Sequence, residues 1–226
     1  MTALPSLTWP VLGLSPFDAP DAGLVIAVSR SGGLGVLDLG QDRARARTAL
    51  SLAARSGTPF GVRLGPNHDN LALPPTVTVV VTRHGSRPSS APVGARAWLA
   101  EVRSVAEASL ALAAGADGLI AKGNEAPGEG SDEPAFVLLQ HLAPLTERPI
   151  WLQGGIGLRT AAAAVVGGAR GVVLDSQLAL ARDAGTADAL RQALLAFDGS
   201  ETAIIHGHRV WVRGDRLESL SSKDPG

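Results

Sequence analysis

Cysteine and tyrosine are absent from the sequence, and only 18% of its residues are charged. Without cysteine, neither a disulfide framework nor a thiolate metal site is possible. The 20 basic residues balance 21 acidic ones and form no basic stripe of the kind that binds nucleic-acid backbones. No apolar stretch reaches the roughly 18 residues of a membrane span, and no secretory signal pattern opens the chain. We therefore expect a cytoplasmic protein that binds neither nucleic acid nor membrane.

The sequence is rich in short apolar runs that alternate with alanine-rich, helix-like segments. This alternation is typical of a parallel sheet with helical crossovers. The runs cover residues 10–14, 35–39, 59–64, 76–81, 97–102, 118–122, 149–153 and 171–175. Eight such strands close a barrel. The sequence therefore predicts an α/β fold, a compact (β/α)₈ TIM barrel.

Helices are predicted at residues 21–31, 42–56, 105–114, 133–145, 158–166 and 187–197. Four of them are followed by glycines that could end a helix in the left-handed conformation: Gly32, Gly57, Gly115 and Gly167. The connections 65–75 and 85–94 hold too much proline, glycine, serine and asparagine for a full helix. We expect a barrel trimmed on that side, with apolar wall exposed near Trp98.

The predicted organisation is a barrel over residues 1–200, a β-like C-terminal extension over 201–220 that packs on the barrel, and a tail or linker over 221–226. Apolar residues alternate along 202–212, and this pattern predicts a hairpin that turns near Gly207.

A glycine pair follows the seventh run, and a serine follows the eighth. Gly154 and Gly155 would leave backbone N–H groups free at the start of a helix, and Ser176 would add a hydroxyl. Barrels often bind phosphate after strands seven and eight. The sequence thus predicts a phosphate site here, although a glycine pair alone is equally consistent with a tight turn.

Five segments together resemble the nitronate monooxygenase family, also called 2-nitropropane dioxygenases, and follow its order along nearly the whole chain. They are residues 22–37, 59–64, 113–126, 153–156 and 168–176. That family includes flavin-dependent enoyl-acyl carrier protein reductases, and related domains occur in polyketide and polyunsaturated fatty acid synthases. The resemblance implies an FMN-dependent oxidoreductase, with NAD(P)H as an expected reductant and a small or acyl-carrier-bound substrate.

The resemblance also implies which residues hold FMN. The phosphate would lie at Gly154, Gly155 and Ser176, with Gln153 and Asp175 as further cofactor-binding residues. The flavin ring would pass Ser15, Pro16, Phe17, Arg63 and Lys122. Arg63 and Lys122 stand where the family usually has uncharged polar residues, so both add positive charge near the ring. Arg63 has a structural alternative, an ion pair with Asp69 or Glu101, and Lys122 could be a surface lysine at a strand end.

Two residues are candidates for proton transfer. Many relatives carry histidine in the loop after the sixth strand, where this chain has Glu129. His84, after the fourth strand, matches a second family histidine, and an imidazole titrates near neutral pH. His206 and His208 have the spacing of a strand-borne metal pair but lack nearby carboxylate or thiol ligands, so no metal site is expected.

Three functions compete at this point. The first is the FMN-dependent oxidoreductase. The second is a catalytically impaired barrel that acts as a structural or docking domain of a multidomain polyketide or fatty acid synthase. The third is a flavin-free barrel enzyme of the sugar-phosphate or indole type, whose acid and base would come from Asp38, Glu101 and Glu125.

Overall fold

The computed structural model describes residues 7–65, 68, 71–84, 97–198 and 201–212. Eight parallel strands close into a barrel in the order β1-β2-β3-β4-β5-β6-β8-β9. They are β1 (Val11–Leu14), β2 (Leu34–Asp38), β3 (Phe60–Arg63), β4 (Val77–Thr82), β5 (Ala97–Val102), β6 (Gly118–Lys122), β8 (Ile150–Gln153) and β9 (Gly171–Leu174). The predicted TIM barrel is confirmed, and each strand end lies within one residue of its predicted position.

Six helices lie outside the strands: α1 (Ala22–Arg30), α2 (Arg43–Arg55), α3 (Val105–Ala113), α4 (Ala135–Leu142), α5 (Leu158–Val166) and α6 (Asp188–Leu195). Polar side chains cap the first three, for example Asp21, whose carboxylate accepts the Leu24 N–H at 3.1 Å. Short 3₁₀ turns cover Ala143–Leu145 and Ser176–Leu180. None of the helices in the described segments is long and apolar enough to cross a membrane.

The end of the fourth helix and the glycine that turns the chain after the fifth helix differ from the prediction. The fourth helix ends at Leu142 and continues as a 3₁₀ turn. Pro144 lacks the N–H that another α-helical turn would need. After α5, Gly167 has φ −74°, and the left-handed conformation falls on Gly168 at φ 98°. Because the pair is Gly-Gly, the sequence did not distinguish which glycine turns the chain.

Only part of the trimmed side of the barrel lies within the described residues. In the first short connection, the described residues of 65–75 form no helix, and the second connection, 85–94, lies outside the described residues. Trp98 is half-buried, and its indole N–H donates to the Thr82 hydroxyl at 2.8 Å.

The barrel interior is filled by apolar side chains from alternate strand positions. Trp151 is fully buried there, and its indole N–H donates to the Trp9 carbonyl at 3.0 Å. Two further apolar clusters lie between strands and helices. With its interior packed, the barrel has no pore, so a ligand must bind at one end.

Three short strands complete the structure. β10 (Thr202–Ile205) and β11 (His208–Trp211) form an antiparallel hairpin, and β11 also pairs with β7 (Gly128–Glu129), which lies in the loop after β6. This pairing brings the hairpin across the carboxyl ends of the barrel strands.

Gly35 tests how tightly α1 packs on β2. A Cβ atom at this position would lie 2.1 Å from the Val25 carbonyl oxygen, a backbone atom that cannot move alone. Gly35→Ala should therefore destabilise the fold by about 1–3 kcal/mol or more, as overpacking does. Urea unfolding measures the change. Gly23→Ala is the control: Gly23 is an exposed residue of α1 with room for a methyl group, so this substitution should be neutral or stabilising. Equal losses in the two variants would contradict the packing described.

Candidate functional site

A cavity of about 530 Å³ lies at the carboxyl ends of the barrel strands. Strand-end residues form its floor, the loop after β1 and the loop after β6 form its sides, and β11 covers part of its opening. Its volume lies within the range of small-molecule and cofactor sites. Its place is the end at which TIM barrels bind their ligands.

Arg63 is the centre of the floor. It is only 5% exposed, and its guanidinium contacts three carboxylates. It donates to Asp38 through both Nε and Nη2, to Glu101 at 3.0 Å and to Asp18 at 2.6 Å. The pair with Glu101 was one of the two alternatives considered for Arg63, and Asp69, the other, lies outside the described residues.

This network fixes the charge state of its members. Burial alone would lower the pKa of Arg63, but Glu101 and Asp38 raise it above its ordinary value. Burial would raise the pKa of Glu101, but the charges of Arg63 and Lys122 outweigh burial and hold it below its ordinary value. Arg63 and Glu101 are therefore both ionised near neutral pH.

Lys122 lies beside this network without joining it. It is 7% exposed and lines the cavity at the end of β6, so it is not the surface lysine of the alternative interpretation. Within the described residues its ammonium forms no hydrogen bond or ion pair. Burial, reinforced by the nearby charge of Arg63, lowers the pKa of Lys122, although Glu101 and Asp175 oppose this change.

The glycine pair directly follows β8 but does not line the cavity, and the Glu125 side chain lies beside both glycines. Gly154 has φ 122° and Gly155 has φ 61°, conformations that disfavour residues with a side chain. A Cβ atom at Gly154 would also lie 3.1 Å from the Ala126 amide nitrogen. The neighbouring Gln153 is buried, and its carbonyl oxygen Oε1 has no hydrogen-bond partner among the described residues.

Asp175 occupies the place predicted for phosphate. Its carboxylate accepts the Ser176 N–H at 2.5 Å, the Ser176 hydroxyl at 3.2 Å and the Gln153 side-chain amide at 2.8 Å. Neighbouring amides are also engaged: Asp175 N–H donates to Gln177 at 3.2 Å, and Gly157 N–H donates to Thr160 at 2.6 Å. The Ser176 donors expected to bind phosphate are therefore already bound within the protein, and Gly154 and Gly155 do not line the cavity.

The two predicted proton-transfer residues meet at the rim of the cavity. His84 Nε2 lies 3.3 Å from a carboxylate oxygen of Glu129, and both side chains are partly exposed. Glu129 also pairs with Arg103. Burial would raise the pKa of Glu129, but the hydrogen bond from Arg103 and the charge of His84 lower it. His84 has φ 55°, a conformation uncommon outside glycine and often found at functional positions.

The segment after β1 places its predicted residues along one side. Ser15 is buried, and its hydroxyl accepts the Asp38 N–H at 2.7 Å. Pro16 and Phe17 line the cavity, and the Phe17 ring meets the Trp211 ring edge-on at 5.5 Å. Phe17 and the hairpin together close this side of the opening.

Several cavity residues were missed by sequence reasoning: Asp18, Arg83, Arg103, Thr202, His208, Arg209, Val210 and Trp211. Arg83 and Arg103 each follow a strand directly, so their position at the carboxyl end of the barrel, where TIM barrels bind ligands, was a signal that could have found them. The hairpin residues carry no such signal, because the sequence does not specify where the hairpin docks.

Comparison with known proteins identifies the family. A family model for nitronate monooxygenase matches residues 89–213, more than half of the chain. The chain belongs to the nitronate monooxygenase family. Its relatives support an oxidoreductase class. No curated protein matches the sequence significantly.

Solved structures share the fold of this family member. FabK from Thermotoga maritima has a TM-score of 0.84 and 24% identity, with 99% of this chain and 78% of FabK covered. A nitroalkane oxidase from Streptomyces ansochromogenes has a TM-score of 0.77 and 22% identity, covering 93% and 79%. The enoyl reductase domain of MlnA from Bacillus amyloliquefaciens has a TM-score of 0.66 and 18% identity, covering 87% and 60%.

The cavity residues fit the flavin ring of FMN but not its phosphate. Gln153 Oε1 and the Lys122 ammonium have no partner among the described residues, and the polar edge of a flavin ring could satisfy both. The phosphate would instead meet the Asp175 carboxylate, whose negative charge already holds the Ser176 donors. The residues thus fit the flavin ring and do not fit its phosphate.

Removing Arg63 tests the floor network. Arg63→Met should lower the free energy of unfolding at neutral pH by about 3–5 kcal/mol, because two buried carboxylates lose their counter-charge. In the wild type, the lowered pKa of Glu101 makes stability fall as pH drops below the ordinary carboxyl range. In the variant, burial should raise the pKa of Glu101 above its unfolded value, so stability should increase as pH drops from neutrality.

Urea unfolding between about pH 4 and 8 measures both effects. Arg148→Met is the control, since Arg148 is exposed and lies 4.0 Å from Asp117. A pH slope of the same sign in Arg63→Met and the wild type would refute the proposed role of Arg63.

Proposed function

We propose that the chain is a flavin-binding oxidoreductase of the nitronate monooxygenase or enoyl reductase type, with the flavin ring in the cavity at the barrel mouth. The observation that carries this proposal is a pair of polar groups on buried cavity residues, Gln153 Oε1 and the Lys122 ammonium. Neither has a hydrogen-bond or ion-pair partner in the described part of the chain. Membership of the family supports the oxidoreductase class.

Flavin, when bound, supplies hydride or electron exchange with a small carbon acid or an acyl chain, and NAD(P)H is the proposed reductant. Arg63 is neutralised by its carboxylates, whereas Lys122 lines the cavity and forms no ion pair with the described residues, so it can face a ligand. Its positive charge would stabilise negative charge on the ligand, and Gln153 Oε1 would accept a hydrogen bond.

The remaining cavity residues control water and protons. Phe17 and Trp211 cover one side of the opening with aromatic rings and limit solvent access. At the rim, His84 can take or give a proton at Nε2, and the Glu129 carboxylate at 3.3 Å holds the imidazole in place.

Flavin binding tests the proposal. The purified protein should bring flavin with it or quench the fluorescence of added flavin in a saturable way. Lys122→Met should weaken this binding at least about 10-fold, because one ligand-facing charge is lost. Lys122→Arg keeps the charge and should retain more of the affinity. The absence of flavin binding in the wild type would refute the proposal.

Turnover tests the rim residues. His84→Ala should lower turnover by about 10²–10⁴-fold with little change in flavin affinity, because general acid–base catalysis contributes roughly that factor. The assays are NAD(P)H-dependent flavin reduction and oxygen-linked nitronate oxidation. His141→Ala is the control, since His141 is exposed and pairs with Glu133 away from the cavity. Unchanged turnover in His84→Ala would exclude the imidazole from the reaction.

A second candidate function is a catalytically impaired barrel that serves as a structural or docking domain of a synthase. Contacts within the protein favour this candidate, because the charged side chains of the site already have protein partners. Arg63 pairs with Glu101, Glu129 pairs with Arg103, and Asp175 accepts the Ser176 N–H. This candidate predicts no turnover in any of these assays, with or without bound flavin.

A further inference from the structure

The carboxylate of Asp175 is a fixed part of the cavity wall. Asp175 is 6% exposed and lines the cavity, and its two oxygens accept hydrogen bonds from Gln153 and from both donors of Ser176. Three donors on one carboxylate hold it in place, so it does not swing aside as a surface aspartate would.

A phosphomonoester at this corner would bring about two negative charges next to this carboxylate at neutral pH. Arg63 offers little compensation, because it is already bound to three carboxylates. Lys122 faces Glu101 and Asp175 as well as Arg63 and Arg83, so its positive charge is partly offset. The amides of Asp175 and Ser176 are engaged within the protein, and Gly154 and Gly155 do not line the cavity.

A carboxylate is, by contrast, a good acceptor for hydroxyl groups. Dinucleotide-binding folds use this difference, since an acidic residue that binds a ribose hydroxyl disfavours the corresponding phosphate. Asp175 would favour hydroxyls over phosphate in the same way at the end of the flavin side chain. That end carries hydroxyls in riboflavin and a phosphate in FMN.

We propose that Asp175 makes this barrel select a flavin that ends in hydroxyl groups, of the riboflavin type, over its phosphomonoester FMN. The inference rests on the proposed flavin-binding function and names the form of the ligand.

Dissociation constants for riboflavin and FMN, measured by fluorescence quenching at one ionic strength, test the inference. The wild type should bind riboflavin at least about 10-fold more tightly than FMN. Asp175→Asn keeps the shape of the side chain and removes its charge, so FMN affinity should rise at least about 10-fold relative to riboflavin. Asp183→Asn is the matched control: it removes one negative charge at an exposed site and should leave the ratio unchanged.

Each outcome bears on one claim. Tighter binding of FMN than riboflavin by the wild type would overturn the selectivity and leave the proposed function standing. Binding of neither flavin would overturn the proposed function and this inference with it. If Asp175→Asn does not fold, the wild-type ratio still decides. An unchanged ratio in a folded Asp175→Asn would show that its charge is not the cause.

Discussion

The mouth of this barrel depends on the contact between one guanidinium and three carboxylates. Arg63 ends β3, Asp38 ends β2 and Glu101 lies in β5, so the network ties together strand ends on both sides of β4. A buried carboxylate without a counter-charge is costly, and here two share one arginine. The arginine in turn has five N–H groups, and it satisfies carboxylates in several directions at once. A lysine at this position could not do the same.

In the described part of the chain, the floor of the cavity holds some groups that have protein partners and others that have none. Arg63 and Asp175 belong to the first kind, and Lys122 and Gln153 Oε1 to the second. The second kind can bind a ligand directly, while the first sets which charged groups of a ligand the cavity accepts. The cavity lies where TIM barrels bind ligands and has the volume of a small-molecule site, but its charges set what it can hold.

Much of the fold could be predicted because its signals are local. Apolar runs, glycine stops and capping residues specify each strand and helix by itself, and eight strands imply closure. The family resemblance also selected Arg63, Lys122, Gln153 and Asp175 as cofactor-binding residues. Their roles could not be predicted in the same way, because whether Arg63 meets a ligand or a carboxylate depends on side-chain geometry across neighbouring strands. His84 and Glu129 were both predicted as proton-transfer residues. The contact between them could not be predicted, because it depends on how their two loops fold.

The position of the hairpin was beyond sequence reasoning for a related reason. Its alternation predicts two strands but not the edge on which they pair, and β7 is a two-residue strand with no pattern of its own. This pairing nevertheless has a chemical consequence. Glu129 lies in β7 opposite His208, so the backbone hydrogen bonds of the hairpin hold the carboxylate that contacts His84. The cover of the cavity and the orientation of its rim imidazole are thus set by the same strand pair, and a change that loosens the hairpin acts on both.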